Sequence, residues 1–175
     1  DPIRPIWIDS ICINQNDLEE KAVQIPLMRL IFSRATLVVI WMGITTPQSE
    51  IFMTEFPRVW EVAKQLGPTV TSNPESEYQE NGMPACDNTF WPGLTHITRH
   101  EWFLRLWTFQ EAMLAVRAII LHGSFWIDFD ILLEFISWGV NGSGLIQTAL
   151  LQDNIKISLE IWYGLETLQY YRRVV

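Results

Sequence analysis

A carboxylate in an otherwise apolar helix is the feature of this sequence that points most directly to chemistry. The stretch EWFLRLWTFQEAMLA, residues 101–115, predicts a helix in which Glu111 follows Trp107 by four positions. At about 100° per residue, Trp102 and Trp107 lie on one broad apolar face, Gln110 falls within it, and Glu111 lies at its margin. No cation stands three or four positions from Glu111, so a helical ion pair does not explain it. A buried carboxylate beside an aromatic ring has a raised pKa, as in some catalytic sites.

A structural role is the alternative for both polar residues. Glu111 would then contact a strand backbone or a distant arginine and fix the fold. Gln110 would be a core amide that is hydrogen-bonded to backbone.

A second group of polar residues follows the apolar run PIWID, which ends at Asp9. The polar turn CINQND comes next, and the run has the features of a buried strand of a parallel sheet. Ligands of open α/β sheets bind outside the carboxyl ends of the strands, which is where Asp9, Asn14 and Gln15 would stand. The alternative is that these side chains only cap turns and the next helix.

The remaining elements alternate between strand and helix. TLVVIWMG and RAIILHG predict two more buried strands, and SFWIDF predicts another short one. This alternation predicts an α/β domain whose mainly parallel sheet is flanked by helices.

Helices are predicted between and after the strands. One begins at Asp17, which forms a capping box with Glu20, buries Leu18, Ala22, Ile25 and Phe32 on one face, and is kinked or delayed by Pro26. Another covers PQSEIFMTEFPRVWEVAKQLG, with Gly67 as its C-cap. A long irregular loop is expected over residues 68–95. A helical C-terminal part is expected over about residues 128–173, with helices from about Asp130 to Trp138 and from Leu145 to Arg172.

Composition excludes several classes of protein. The net charge of -8 disfavours binding to nucleic acid, and no apolar run reaches the roughly 18 residues of a membrane span. Two cysteines do not make a secreted disulfide scaffold, so we expect one cytoplasmic domain over residues 1–175.

Other candidate sites are weaker. His96 and His100 are four positions apart beside Glu101, which could be half of a zinc site, but HExxH is absent and a solvated helix start explains them better. We therefore predict no metal site. Cys12 is expected to be a buried, inert thiol.

Two long blocks together resemble a known family. WIDSICINQNDLEEKAVQIPLMRLIFSRATLVVIWMG, and later WFLRLWTFQEAMLA followed by LHG, resemble the fungal HET (heterokaryon incompatibility) domain over residues 6–123. The resemblance implies a cytosolic module of non-self recognition whose activation leads to cell death. It also implies a fold like that of the TIR domain, a flavodoxin-like α/β domain.

The resemblance further implies an activity. Some TIR domains cleave the nicotinamide–ribose bond of NAD⁺ with a glutamate in a Trp-x-x-x-Glu pattern, and WTFQE places Trp107 and Glu111 on that pattern. Glu111 would be the catalytic carboxylate, NAD⁺ would be a substrate, and no cofactor would be needed. The residues expected to bind the substrate are Asp9, Cys12, Asn14, Gln15, Trp102, Trp107 and Gln110.

The alternative implied by the same resemblance is not enzymatic. The domain would be a self-associating signalling or toxic module, whose partner is a second copy or another signalling protein, and Glu111 would be structural. HET domains usually open with a block resembling ALSYxWG, whereas this chain starts at Asp1 without it. A sheet without that strand would have an exposed edge that another chain could occupy.

Overall fold

The computed structural model describes residues 5–67 and 74–142, which form a mainly helical α/β arrangement around a small sheet. The strands are β1 (Val38–Trp41), β2 (Ala118–His122) and β3 (Phe125–Asp128), in the order β1-β2-β3. The helices are α1 (Asp9–Cys12), α2 (Leu18–Arg34), α3 (Pro47–Leu66), α4 (Pro74–Glu80), α5 (Phe90–Thr98), α6 (Leu106–Leu114) and α7 (Phe129–Ser137). A 3₁₀-helix (Glu101–Leu104) and a π-helix (Trp138–Gly142) accompany them.

The sheet is mixed rather than mainly parallel within the described residues. β1 runs parallel to β2, with Val38 opposite Ala118, whereas β3 follows β2 through a tight turn and pairs with it antiparallel. A connection this short permits only an antiparallel pair. The three strands predicted over these segments are confirmed.

The strand predicted over residues 5–9 is absent from the described structure. Residues 5–8 have no regular structure, and α1 begins at Asp9. The backbone N–H groups of Ile11 and Cys12 both donate to the carbonyl of Ile8, so the chain turns into a helix immediately after the apolar run. β1 is consequently an edge strand of the described sheet.

Helix α2 starts where the sequence predicts, but it is not buried as predicted. Asp17 caps it by accepting from the N–H groups of Glu19 and Glu20, while Glu20 accepts from the N–H of Asn14 instead of completing a capping box. Pro26 lies inside the helix and does not end it.

The buried stripe predicted for α2 is wrong. Leu18 is 79% exposed and Ile25 is 51% exposed, Ala22 is also exposed, and no residue of the helix is fully buried. Phe32 is half-buried, with its ring edge-on to Trp7. The most extensive contact of this helix is with α6, so only one side of it is covered.

The core lies on one face of the sheet. Alternation along the strands buries Ile40, Ile120 and Ile127 and leaves Trp41 and Trp126 exposed. Helices α3 and α7 contact the strands, and α5 packs against α3. The N-terminal end of α3 carries a complete capping box, and Gly67 ends the helix as predicted.

The segment predicted as a long loop is partly helical. Residues 68–73 lie outside the described residues, but α4 and the start of α5 follow them. Tyr78, Cys86, Phe90 and Trp91 are buried, so a few apolar anchors order a segment that is otherwise polar. The predicted helix near Asp130 is confirmed as α7, and the predicted helix from Leu145 to Arg172 lies outside the described residues.

Among the described helices, none combines the length and apolar character that crossing a membrane requires.

Candidate functional site

The helix predicted over residues 101–115 is broken in two. The 3₁₀-helix ends at Leu104, Arg105 adopts an extended conformation, and α6 begins at Leu106. The hydroxyl of Thr108 lies 2.6 Å from the carbonyl oxygen of Arg105 and also contacts that of Trp102, so it stabilises the break. The sequence had predicted Trp102 and Glu111 on one continuous helix. Because of the break, they lie on two separate helices.

Glu111 lies half-buried on α6, close to charged groups from two segments. Burial raises the pKa of its carboxyl, the nearby Asp9 carboxylate raises this pKa further, and Arg105 opposes both effects. Helix α2, which follows the turn after Asp9, packs against α6, which carries Glu111. The structure thus brings together Asp9 and Glu111, two residues far apart in the sequence that the resemblance had placed in one site.

The turn after Asp9 is held by its own side chains. The amide of Gln15 donates to the carbonyls of Asp9 and Ile13, at 3.0 and 3.1 Å. Asn14 accepts from the N–H of Asn16, and the carboxylate of Asp9 accepts from the N–H of Ser10. Gln15 and Asn14 therefore order the turn next to Asp9. This structural role is the alternative to ligand binding that the sequence left open for these two residues.

The other predicted site residues are placed differently. Cys12 is exposed, so the expectation of a buried thiol is wrong: it ends the short helix α1 at the surface. Trp102 packs edge-on against Phe103 and Phe129, at 5.0 and 5.7 Å between ring centroids, and is part of the core boundary. The side chains of Trp107 and Gln110 lie outside the described part of the structure.

The raised pKa of the Glu111 carboxyl is a property of many acid–base groups. Burial and the charge of Asp9 both make ionisation of the Glu111 carboxyl less favourable. A carboxyl with a raised pKa can exchange a proton closer to neutral pH, and in its ionised form it can stabilise positive charge.

A second polar cluster was not predicted from the sequence. All three histidines converge where α5, β2 and the start of α3 meet, and the rings of His96 and His122 are 6.1 Å apart. An open cavity of about 420 Å³ lies beside them, lined by Gln48, Pro92, Thr95, His96, Arg99 and His100. Within the described residues, no group of three or more His, Cys, Asp or Glu side chains is arranged so that it could hold a metal ion.

His122 is the buried member of this cluster. Its Nδ1 lies 3.0 Å from the carbonyl oxygen of Met42 and its Nε2 lies 2.8 Å from Oγ of Ser49. Because a carbonyl only accepts, we assign the proton to Nδ1, and Nε2 accepts from the Ser49 hydroxyl. Burial lowers the pKa of His122, the hydrogen bond to Met42 opposes this, and His96 lowers the pKa further. The ring joins β2, the end of β1 and the first turn of α3.

This burial predicts a pH dependence of stability. The unfolded chain binds a proton at His122 near pH 6.5, whereas the folded chain binds it only at lower pH. The stabilisation is therefore complete above pH 6.5 and is lost as the pH falls below it. Urea unfolding at pH 7.5 and 5.5 is expected to show a larger drop for the native chain than for His122→Gln. Equal drops would contradict a lowered pKa for His122. The lowered pKa of His100 affects the stability of both proteins alike, so it does not account for a difference between them.

Comparison with known proteins identifies the family. The model of the heterokaryon incompatibility protein (HET) family matches residues 1–111, which is more than half of the chain. The chain belongs to the HET family. A HET relative, heterokaryon incompatibility protein 6, OR allele, of Neurospora crassa is 32% identical over an alignment of 141 residues. This alignment covers 68% of the chain and 20% of the relative, so the chain spans about a fifth of the relative's length. No solved structure matches the chain.

The HET match includes both halves of the carboxylate pair. Asp9 and the turn after it lie near the beginning of the matched residues, and Glu111 is the last of them. His122, in contrast, lies beyond the match, and its partner Ser49 lies within it.

Proposed function

We propose that this HET chain is a module of fungal non-self recognition whose activation leads to cell death, and that it acts by hydrolysing the nicotinamide–ribose bond of NAD⁺. The observation that carries the proposal is the position of the Glu111 carboxyl, which is half-buried on α6 and lies near the charged side chains of Asp9 and Arg105. The family match and the name of the Neurospora relative support the biological role.

The chemistry requires a negative charge beside the ribose. The bond between the ribose and the nicotinamide nitrogen breaks, its electron pair leaves with nicotinamide, and water adds to the ribose to give ADP-ribose and a proton. Positive charge develops on the sugar, as in glycoside cleavage. The ionised Glu111 would bind the ribose hydroxyls and stabilise this charge, with Asp9 on the opposite side.

Replacing Glu111 tests the proposal directly. Glu111→Gln is expected to lower nicotinamide release from NAD⁺ by about 10²–10⁴-fold, because the amide keeps the shape of the side chain and removes its charge. The release is measured by chromatography at high protein concentration, with circular dichroism to verify folding. Because the pKa of Glu111 is raised, the native activity should decline with falling pH earlier than for an ordinary glutamate.

Glu101→Gln is the matched control. This exposed carboxylate lies on the 3₁₀-helix of the same sequence block, and its loss should leave nicotinamide release unchanged. Undiminished NAD⁺ turnover and cell killing by Glu111→Gln would reject the enzymatic proposal.

A second function is favoured by a different observation. The outer side of α2 is exposed and apolar, as expected of a surface that binds protein. The HET chain would then kill by self-association without catalysis, and a folded Glu111→Gln variant would remain fully toxic.

A further inference from the structure

Helix α2 has an apolar outer side that no described residue covers. Val23 is 64% exposed, Leu27 is 43% exposed and Leu30 is 46% exposed, and Pro26 is also exposed. Helix α6 covers only one side of α2, and these apolar side chains lie on another side. The exposed apolar side chains of α2 therefore offer a partner an apolar surface.

Six of the ten exposed positions of α2 form one regular stripe, and the other four, Leu18, Ala22, Ile25 and Arg29, lie beside it. Successive spacings of four, three, one, three and four residues place the six positions of the stripe within an arc of about 100°. The stripe, called here the α2 stripe, consists of Glu19, Val23, Pro26, Leu27, Leu30 and Arg34.

The charges of the α2 stripe stand at its two ends. Glu19 lies at the N-terminal end and Arg34 lies at the C-terminal end, about 22 Å apart, with only apolar side chains between them. Among the described residues, the ion pairs join Arg58 to Glu55, Lys64 to Glu61 and Arg117 to Asp128, so neither end of the stripe is paired.

This arrangement is complementary to itself when one helix is reversed. A two-fold axis between Pro26 and Leu27 places Glu19 of one copy opposite the partner's Arg34. The same axis places Val23 opposite the partner's Leu30. Such an isologous contact uses one surface on both copies, closes as a dimer, and gives two identical ion pairs at its ends.

We propose that α2 is a homodimer interface, in which two copies of the chain pack their α2 stripes antiparallel about this axis. The inference deepens the self-association candidate described above. The charge of the helix supports a second copy as the occupant: α2 has three basic and two acidic residues in a chain with a net charge of -8. Two copies therefore meet with less repulsion at α2 than the net charge would impose elsewhere.

Charge reversal at the ends of the stripe tests the geometry. Glu19→Arg faces the partner's Arg34 with a like charge at both ends of the interface, as does Arg34→Glu with the partner's Glu19. Each single change is expected to raise the dimer dissociation constant about tenfold. The combined variant recreates both ion pairs with reversed sign and should restore the native value. Sedimentation equilibrium of the 175-residue chain over a concentration series measures these constants.

Leu27→Glu tests the apolar centre. It places two carboxylates at the axis and should weaken the dimer about 100-fold or more, while Ile44→Glu, at an exposed site outside α2, should leave it unchanged. Circular dichroism verifies that each variant is folded.

The outcomes distinguish self-association in general from dimerisation through α2. A native chain that is monomeric at every concentration overturns both the dimer and self-association. A chain that stays oligomeric in Leu27→Glu self-associates through another surface, which overturns the α2 interface alone. A combined charge variant as weak as the single variants overturns the antiparallel register. None of these results depends on NAD⁺ turnover, which Glu111→Gln tests separately.

Discussion

Phe135→Ala is expected to lower the free energy of unfolding by about 3–5 kcal/mol, because it removes the ring on which three helices meet. Phe135 is fully buried on α7. Its ring lies between 5.3 and 6.2 Å, centroid to centroid, from four other aromatic rings on α3, α5 and the π-helix: Phe56, Trp60, Phe90 and Trp138. Packed rings of this kind cannot all move inwards, so the substitution leaves a cavity.

Urea unfolding at pH 7.5 measures the effect, and Ile131→Ala on the same helix is the control. Ile131 is partly exposed, and its truncation should cost about 1 kcal/mol or less. A loss at Phe135 no larger than at Ile131 would show that the aromatic cluster relaxes into the space.

Gly93→Ala is the second change with a large expected effect, about 3 kcal/mol or more, although it adds one methyl group. Helices α3 and α5 approach closely at this glycine. A Cβ atom there would lie 2.5 Å from the carbonyl oxygen of Gln48 and 2.6 Å from Cβ of Phe52. Neither atom is the end of a flexible side chain, so the helices must separate. The shift would begin one residue from Ser49, which is hydrogen-bonded to His122.

Gly82→Ala is the control for Gly93→Ala. Gly82 has a φ of 89°, and the nearest atom to an added Cβ is 4.0 Å away, so its substitution costs only backbone strain of about 1–2 kcal/mol. Both variants are compared by urea unfolding. Equal losses would contradict the close approach of α3 and α5.

Local signals explain which elements the sequence predicts well. The β-branched runs that end at Gly43 and Gly123 are strands, and Gly67 ends α3. Strand pairing depends on distant segments, so the mixed order of the sheet did not follow from these patterns. The break at Arg105 depends on the hydroxyl of Thr108, and a helical wheel assumes that no such break occurs.

The polar sites likewise include residues that the sequence predicted and residues that it did not. Glu111 stood out because its helical neighbours offer no cation, and the family resemblance placed Asp9 beside it. The hydrogen bond between His122 and Ser49 joins residues 73 positions apart, and no spacing pattern in the sequence links the two. The available signal was Ser49, which stands three positions after Thr46 at the start of α3. A capping serine can also bind a group outside its own helix.

The parallel pairing of β1 with β2 has a consequence for synthesis of the protein. Met42, just after β1, and His122, at the end of β2, are 80 positions apart, and all of α3, α4, α5 and α6 lies between the two strands. β1 therefore leaves the ribosome long before its neighbour exists, at about 5–20 residues per second. During that interval its apolar side chains and unpaired backbone are open to other nascent chains, and closure of so long a loop makes folding slow. Aggregation of the nascent chain through β1 is therefore expected in the interval before β2 has emerged from the ribosome.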